Sequence, residues 1–88
     1  MRRLYSFYHV KNGSEAKDRE RIASSLRELR VAQGLRQTDV AQALGEPQSY
    51  VSRYESSEQR LDLVDLRKIC SALGISLLDF IRKVEGKK

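Results

Sequence analysis

Gln48, Ser49, Ser52 and Arg53 fall within two turns of one another, and their chemistry is that of recognition, not bond-making. A carboxamide donates and accepts side by side, which matches the N7 acceptor and N6–H donor of adenine. A guanidinium is a two-pronged donor, which matches O6 and N7 of guanine, and a hydroxyl adapts to either edge. Each good two-pronged contact discriminates between bases by ~1–3 kcal/mol. Catalysis has no comparable foothold: no nucleophile stands with a base, no glycine-rich segment cradles phosphate, and the single histidine is His9, far along the chain. Cys70 is the single cysteine, which excludes an internal disulfide and the usual zinc spacings. It lies on an apolar helical face and reads as a small core residue. No enzyme activity, cofactor or metal is expected.

Something must hold those four side chains on one outer face. A helix from Pro47 to about Ser56 does so if Val51 and Tyr54 point inward; Pro47 suits its first position, where a missing N–H costs nothing. Before it, Gln37 to Leu44 reads as a shorter helix with Val40, Ala41 and Leu44 inward, and Gly45 follows at once. Two short helices joined by a tight glycine turn meet at a steep angle. In such a unit the first helix crosses the nucleic-acid backbone while the second can lie in the major groove.

Flanking segments supply the support. Ile22, Leu26 and Leu29 follow i, i+4, i+7, so a first helix runs from about Glu15 or Asp18 to Gln33 and stops at Gly34. Asp62 and Asp65 form a capping pattern for a fourth helix carrying Leu66, Ile69, Cys70 and Leu73, ended by Gly74. Ser76 caps a fifth, with Leu77, Phe80, Ile81 and Val84 apolar. Residues 1–13 stand apart: Tyr5, Phe7, Tyr8 and His9 run up to Asn12-Gly13, a turn signal, and a short strand, a docked arm and a frayed tail are all open. Met1 to Val10 lacks a signal-peptide pattern, and no apolar run approaches the ~18 residues of a membrane span.

The 88 residues suit one domain, and the formal net charge is +5. Its location matters more than its size. Through Arg30 there are eight basic and four acidic residues, and from Val31 onward nine and eight. The excess therefore sits in the N-terminal third; it permits nucleic-acid binding without singling out residues 37–56.

The stretch LRELRVAQGLRQTDVAQALGEPQSYVSRYESSEQRLDLVDLRKICSALGISLLDFI resembles the lambda repressor and Cro-like helix-turn-helix family, also called the XRE family. The landmarks stand in order: Gln-Gly-Leu before the second helix, Gln37 opening it, then Ala41, Gly45, Val51, Ser52 and Glu55, and the ALGISLLDF ending. The resemblance covers roughly residues 20 to 84. It implies an all-α fold, a compact five-helix bundle of the lambda repressor-like DNA-binding type. Residues 1–14 would be an N-terminal extension of uncertain structure, 15–85 the DNA-binding domain with its helix-turn-helix unit at 37–56, and 86–88 a tail.

The same resemblance implies roles for single residues. Gln48, Ser49, Ser52 and Arg53 would contact bases, with a phosphate contact left open for Arg53. Gln37 would contact a phosphate and brace Gln48, helped by the positive end of the second helix's dipole. Arg36 and Thr38 flank that point, and Ser56 closes the backbone-contacting set. Tyr50 lies at the edge of the inward face, either partly core or against the sugar-phosphate wall or a thymine methyl. Arg30 and Glu55 resemble a paired Arg and Glu that link the first and third helices. Three departures stand out. Arg36 replaces the frequent serine cap and cannot accept a helix N–H. Ser56-Ser57 replaces a glycine turn. Glu46, with Asp39 and Glu58, makes the binding face less basic.

The function implied is that of a sequence-specific DNA-binding transcriptional regulator, dimeric on palindromic operator DNA, with helix 47–56 in the major groove. The expected partners are double-stranded DNA and a second copy of the chain, joined through the N-terminal arm or through Leu77, Phe80, Ile81 and Val84, which equally read as ordinary core. No membrane is expected, and a toxin or other protein partner is left open. The expected location is the cytoplasm of a bacterial or phage system, on the nucleoid when DNA is bound. Rival readings are an antitoxin, a restriction-modification controller, and a protein-interaction module that does not bind DNA.

Overall fold

The computed structural model describes residues 12–86, in five successive helices: α1 (Asn12–Ala32), α2 (Gln37–Leu44), α3 (Gln48–Glu55), α4 (Leu63–Ala72) and α5 (Leu77–Glu85). Among the described residues there is no strand. α1 begins at Asn12, earlier than the Glu15 or Asp18 expected from apolar spacing. Asn12-Gly13, a turn signal in the sequence, instead lies within the first turn of α1, whose N–H groups have no intrahelical partner to lose. Of the expected extension, residues 12–14 thus belong to α1 and residues 1–11 lie outside the described residues. Pro47 precedes α3 as its N-cap, one position before the first-turn site expected for it.

One residue set from every helix meets in the core. Leu26 of α1, Val40 and Ala41 of α2, Val51 and Tyr54 of α3, Ile69 and Cys70 of α4, and Phe80 and Val84 of α5 are buried, with Leu73 just beyond α4. Val51 and Tyr54, three apart, and Phe80 and Val84, four apart, each share one helix face, as do Ile69 and Leu73. α5 decides between the core and interface readings residue by residue. Phe80 and Val84 are core, packed where α5 meets α1 and α4, and so are not free to join a second copy. Ile81 sits one step around the helix and is exposed, as is Leu78.

The helix ends explain why the connections are short. After α2, Glu46 donates its N–H to the Ala41 carbonyl at 2.9 Å and Gly45 to Gln42 at 3.2 Å, with Gly45 at φ +69°. That left-handed residue reverses the chain within two positions, and a side chain there would cost about 1–2 kcal/mol. α1 and α4 close in the same pattern at Gly34 and Gly74. α3 closes in it without glycine. Ser57 takes φ +70°, while Glu58 donates to the Arg53 carbonyl at 2.9 Å and Ser57 to Tyr54 at 3.3 Å.

Starts are capped as their sequences require. Asp65 N–H donates to Asp62 Oδ1 at 2.8 Å and Asp62 N–H to Asp65 Oδ2 at 3.0 Å; Asp79 N–H donates to Ser76 Oγ at 3.0 Å. The described residues measure 44 × 23 × 23 Å. A helix of α1's length spans about 31 Å at 1.5 Å per residue. Its first turns, Glu15 to Glu20, are almost wholly exposed, whereas Leu26 is fully buried.

Candidate nucleic-acid interface

α2 and α3 pack on each other through Val40, Ala41 and Val51, and the Gly45 turn brings their first residues together. Gln37 opens α2 and Gln48 opens α3. Gln48 Nε2 donates to Gln37 Oε1 at 2.5 Å, so the two carboxamides are joined across the helix-turn-helix unit. Gln37 Nε2 in turn donates to Glu55 Oε1 at 3.0 Å.

Glu55, at the end of α3, is held by Arg30 near the end of α1. Arg30 Nε lies 2.6 Å from Glu55 Oε2 and Nη2 2.9 Å from Oε1, while Nη1 donates to the Leu35 carbonyl at 2.8 Å. The side chains are only 11% and 4% exposed, so the two-pronged pair works largely out of water. The hydrogen bond to Glu55 raises the Arg30 pKa, and burial opposes it without reversing the sign. One polar chain therefore runs Arg30–Glu55–Gln37–Gln48, from the inside of the bundle to its surface. The Gln37–Glu55 link is the part sequence reasoning missed. Those residues are 18 positions apart on different helices, and no local spacing marks them as neighbours.

The remaining residues fall into place around this chain. Ser49 and Arg53 are exposed on the outer side of α3, and Ser52 is half-buried beside them. Ser56 is exposed, and its hydroxyl donates to the Arg53 carbonyl at 3.1 Å. Thr38 is exposed on the first turn of α2. Tyr50 is half-buried, edge-on to Tyr54 with ring centroids 5.5 Å apart, in the crevice lined also by Leu44, Asp65 and Lys68. Burial raises its phenol pKa, with Asp65 and Glu46 adding to the effect.

Arg36 has a partner that its exposure conceals. Asp39 accepts the Arg36 backbone N–H at 2.7 Å and its guanidinium at 3.1 and 3.3 Å. Asp39 thus supplies the reverse half of a capping box, satisfying the Arg36 N–H, while the Arg36 side chain caps no helix N–H. The hydrogen bond from the Arg36 side chain is the main reason the Asp39 carboxyl is held below the usual carboxylate range. The open groove beside it is lined by Arg36, Thr38, Asp39, Gln42, Glu46 and Gln48, so two carboxylates face the same space as the Gln48 amide.

A family model described as helix-turn-helix matches residues 26–80. The chain belongs to the helix-turn-helix family. Its matched part runs from Leu26, in the buried half of α1, to Phe80 in α5, and so takes in the whole polar chain from Arg30 to Gln48. Among solved structures it is similar to the restriction-modification controller protein C.AhdI from Aeromonas hydrophila, at 34% identity over 73% of this chain and 97% of that one, with a TM-score of 0.68. It is also similar to the clp gene regulator ClgR from C. glutamicum, at 28% identity over 78% of this chain and 90% of that one, TM-score 0.72. A second controller, C.Esp1396I, solved as a tetramer in complex with its natural 35 base-pair operator, shares the fold at 20% identity over 78% of this chain and 91% of that one, TM-score 0.74. No curated protein sequence matches the chain.

Proposed function

We propose that this helix-turn-helix protein is a sequence-specific DNA-binding regulator of transcription that seats α3 in the major groove. One observation carries the reading: the joined amides of Gln37 and Gln48 stand at the adjacent N-termini of two helices. Backbone N–H groups at such termini favour phosphate, and a braced glutamine beside them is placed to reach a base edge. Ser49, Ser52 and Arg53 extend the reading face along α3, and Gln37, Thr38, Tyr50 and Ser56 border it as backbone contacts. Arg36 joins that border with its charge shared with Asp39.

A single α3 covers few base pairs, so a dimer on a two-fold symmetric site is part of the proposal. Exposed Leu78 and Ile81 of α5 offer it apolar contacts. A more specific reading, a restriction-modification controller, is favoured by the 34% identity to C.AhdI over 97% of that chain. No helix among the described residues is long and apolar enough to cross a membrane.

Selection of bound duplexes from a random pool tests the proposal. The expected product is a symmetric site with two half-sites about one helical turn apart. Absence of any enriched duplex overturns it and favours a protein-interaction role.

A further inference from the structure

We infer that Glu55 is a positioning residue for base recognition: its carboxylate, through Gln37, sets which way the Gln48 amide faces the DNA. The inference rests on the reading of Gln48 as a base contact and adds to it a residue that touches no DNA.

The argument follows from donor and acceptor capacity. A carboxylate paired with a guanidinium can only accept hydrogen bonds. Glu55 Oε1 lies 3.0 Å from the Gln37 amide, so the group that Gln37 turns toward it must be its NH2. The Gln37 carbonyl oxygen then has to face Gln48, and only an NH2 can meet it there, at 2.5 Å. Two amides that could each flip freely in isolation are thus locked in one orientation. Arg30 fixes the first link by holding Glu55 with arms of 2.6 and 2.9 Å.

The outward side of Gln48 is decided by the same logic. One of its N–H bonds is used on Gln37, leaving the second N–H and the carbonyl oxygen for a ligand. That donor–acceptor pair matches N7 and N6–H of adenine. Guanine, which offers two adjacent acceptors, leaves the Gln48 oxygen facing another oxygen. A neutral amide in place of the carboxylate removes the lock. It could donate to Gln37, reverse that amide, and let Gln48 turn its NH2 outward toward an acceptor-only edge.

The test measures binding of the full chain to its selected duplex and to the same duplex with each other base at the Gln48 position. Gln48→Ala first identifies that position, as the one per half-site where discrimination is lost. Glu55→Gln is expected to reduce the adenine preference there by roughly 5-fold or more, out of the ~5- to 150-fold that a good contact provides. The gain is expected for guanine, with preferences elsewhere in the site unchanged. In a Gln48→Ala background the same substitution should have no effect on discrimination, because the coupling runs through Gln48. Gln37→Ala cuts the relay while sparing the ion pair and is expected to lose the same single preference, which keeps the test decisive if Glu55→Gln folds poorly.

A folded Glu55→Gln or Gln37→Ala protein with wild-type discrimination at that position overturns the inference and leaves DNA recognition standing. Gln48→Ala with every preference intact does the same. Wild-type protein that enriches no duplex overturns the functional reading itself.

Discussion

Arg30 and Glu55 lie 25 positions apart and close on each other through two parallel contacts of 2.6 and 2.9 Å, tying the end of α1 to the end of α3. The pair is nearly sealed from solvent, and the same carboxylate accepts a hydrogen bond from the Gln37 amide. Removing one member leaves the other charge buried and unanswered, a cost of about 3–5 kcal/mol. Glu55→Ala is therefore expected to lower the melting temperature by more than about 10 °C in a domain of this size. A thermal unfolding curve that superimposes on wild type contradicts this.

Ser57 closes α3 at φ +70°, where the other three such closures use glycine. A side chain in that conformation costs about 1–2 kcal/mol, part of which glycine returns through its floppier unfolded state. Ser57→Gly is expected to stabilise by ~0.5–1 kcal/mol in urea titrations, with an unchanged slope, and Ser57→Val to destabilise. A destabilised glycine variant means the serine makes up its strain elsewhere.

Ser25 is fully buried on α1, and its hydroxyl has no hydrogen-bond partner among the described residues. An unanswered hydroxyl in an apolar site costs about 1–3 kcal/mol. Ser25→Ala removes it at nearly constant volume, and we expect a gain on the order of 1 kcal/mol by the same titration. A loss of stability shows that the hydroxyl is satisfied in solution.

Asp39 both caps α2 and neutralises Arg36 beside the groove. Asp39→Asn keeps an acceptor for the Arg36 N–H and releases the guanidinium, so binding should tighten for all duplexes alike. The salt dependence should steepen by roughly one counterion per protomer. A change confined to one base position contradicts the assignment. The sign of the acid response follows as well. The Asp39 carboxyl is held low by the folded chain, so its contribution is complete above the ordinary carboxylate range and fades as pH falls through the lowered value.

Cys70 is buried at the centre of the core, and burial pushes its thiol upward. A thiol reagent should leave the native protein unlabelled and react at the rate of unfolding, so labelling should accelerate with denaturant. Prompt stoichiometric labelling of native protein refutes a core position.

Most of the fold was legible because apolar periodicity and helix punctuation agreed. Val40, Ala41, Val51 and Tyr54 point inward as their spacing demands, and Gly34, Gly45 and Gly74 each end a helix. α5 was less legible, since Leu77, Phe80, Ile81 and Val84 all fit one apolar stripe and only packing separates buried Phe80 and Val84 from exposed Ile81. At the site, residue chemistry and resemblance pointed to the two glutamines and, separately, to the Arg30–Glu55 pair. Their joining through Gln37 depends on how α2 is set against α3, which puts residues 18 positions apart side by side and which no local spacing shows. Asp39 was visible only as an unfavourable charge, because its bond to the Arg36 backbone requires the helix to have formed.

The uneven burial of α1 gives one helix two modes of opening. Around Ala23, Ser25 and Leu26 the helix is anchored in the core, so its amides there should exchange their hydrogens only through large-scale opening. From Glu15 to Glu20 the helix has little beyond its own propensity and a Glu15–Arg19 pair at 3.6 Å, worth a few tenths of a kcal/mol when exposed. That half frays and reforms independently, so isotope exchange along α1 should fall off in a steep gradient from one end to the other, inside a single uninterrupted element.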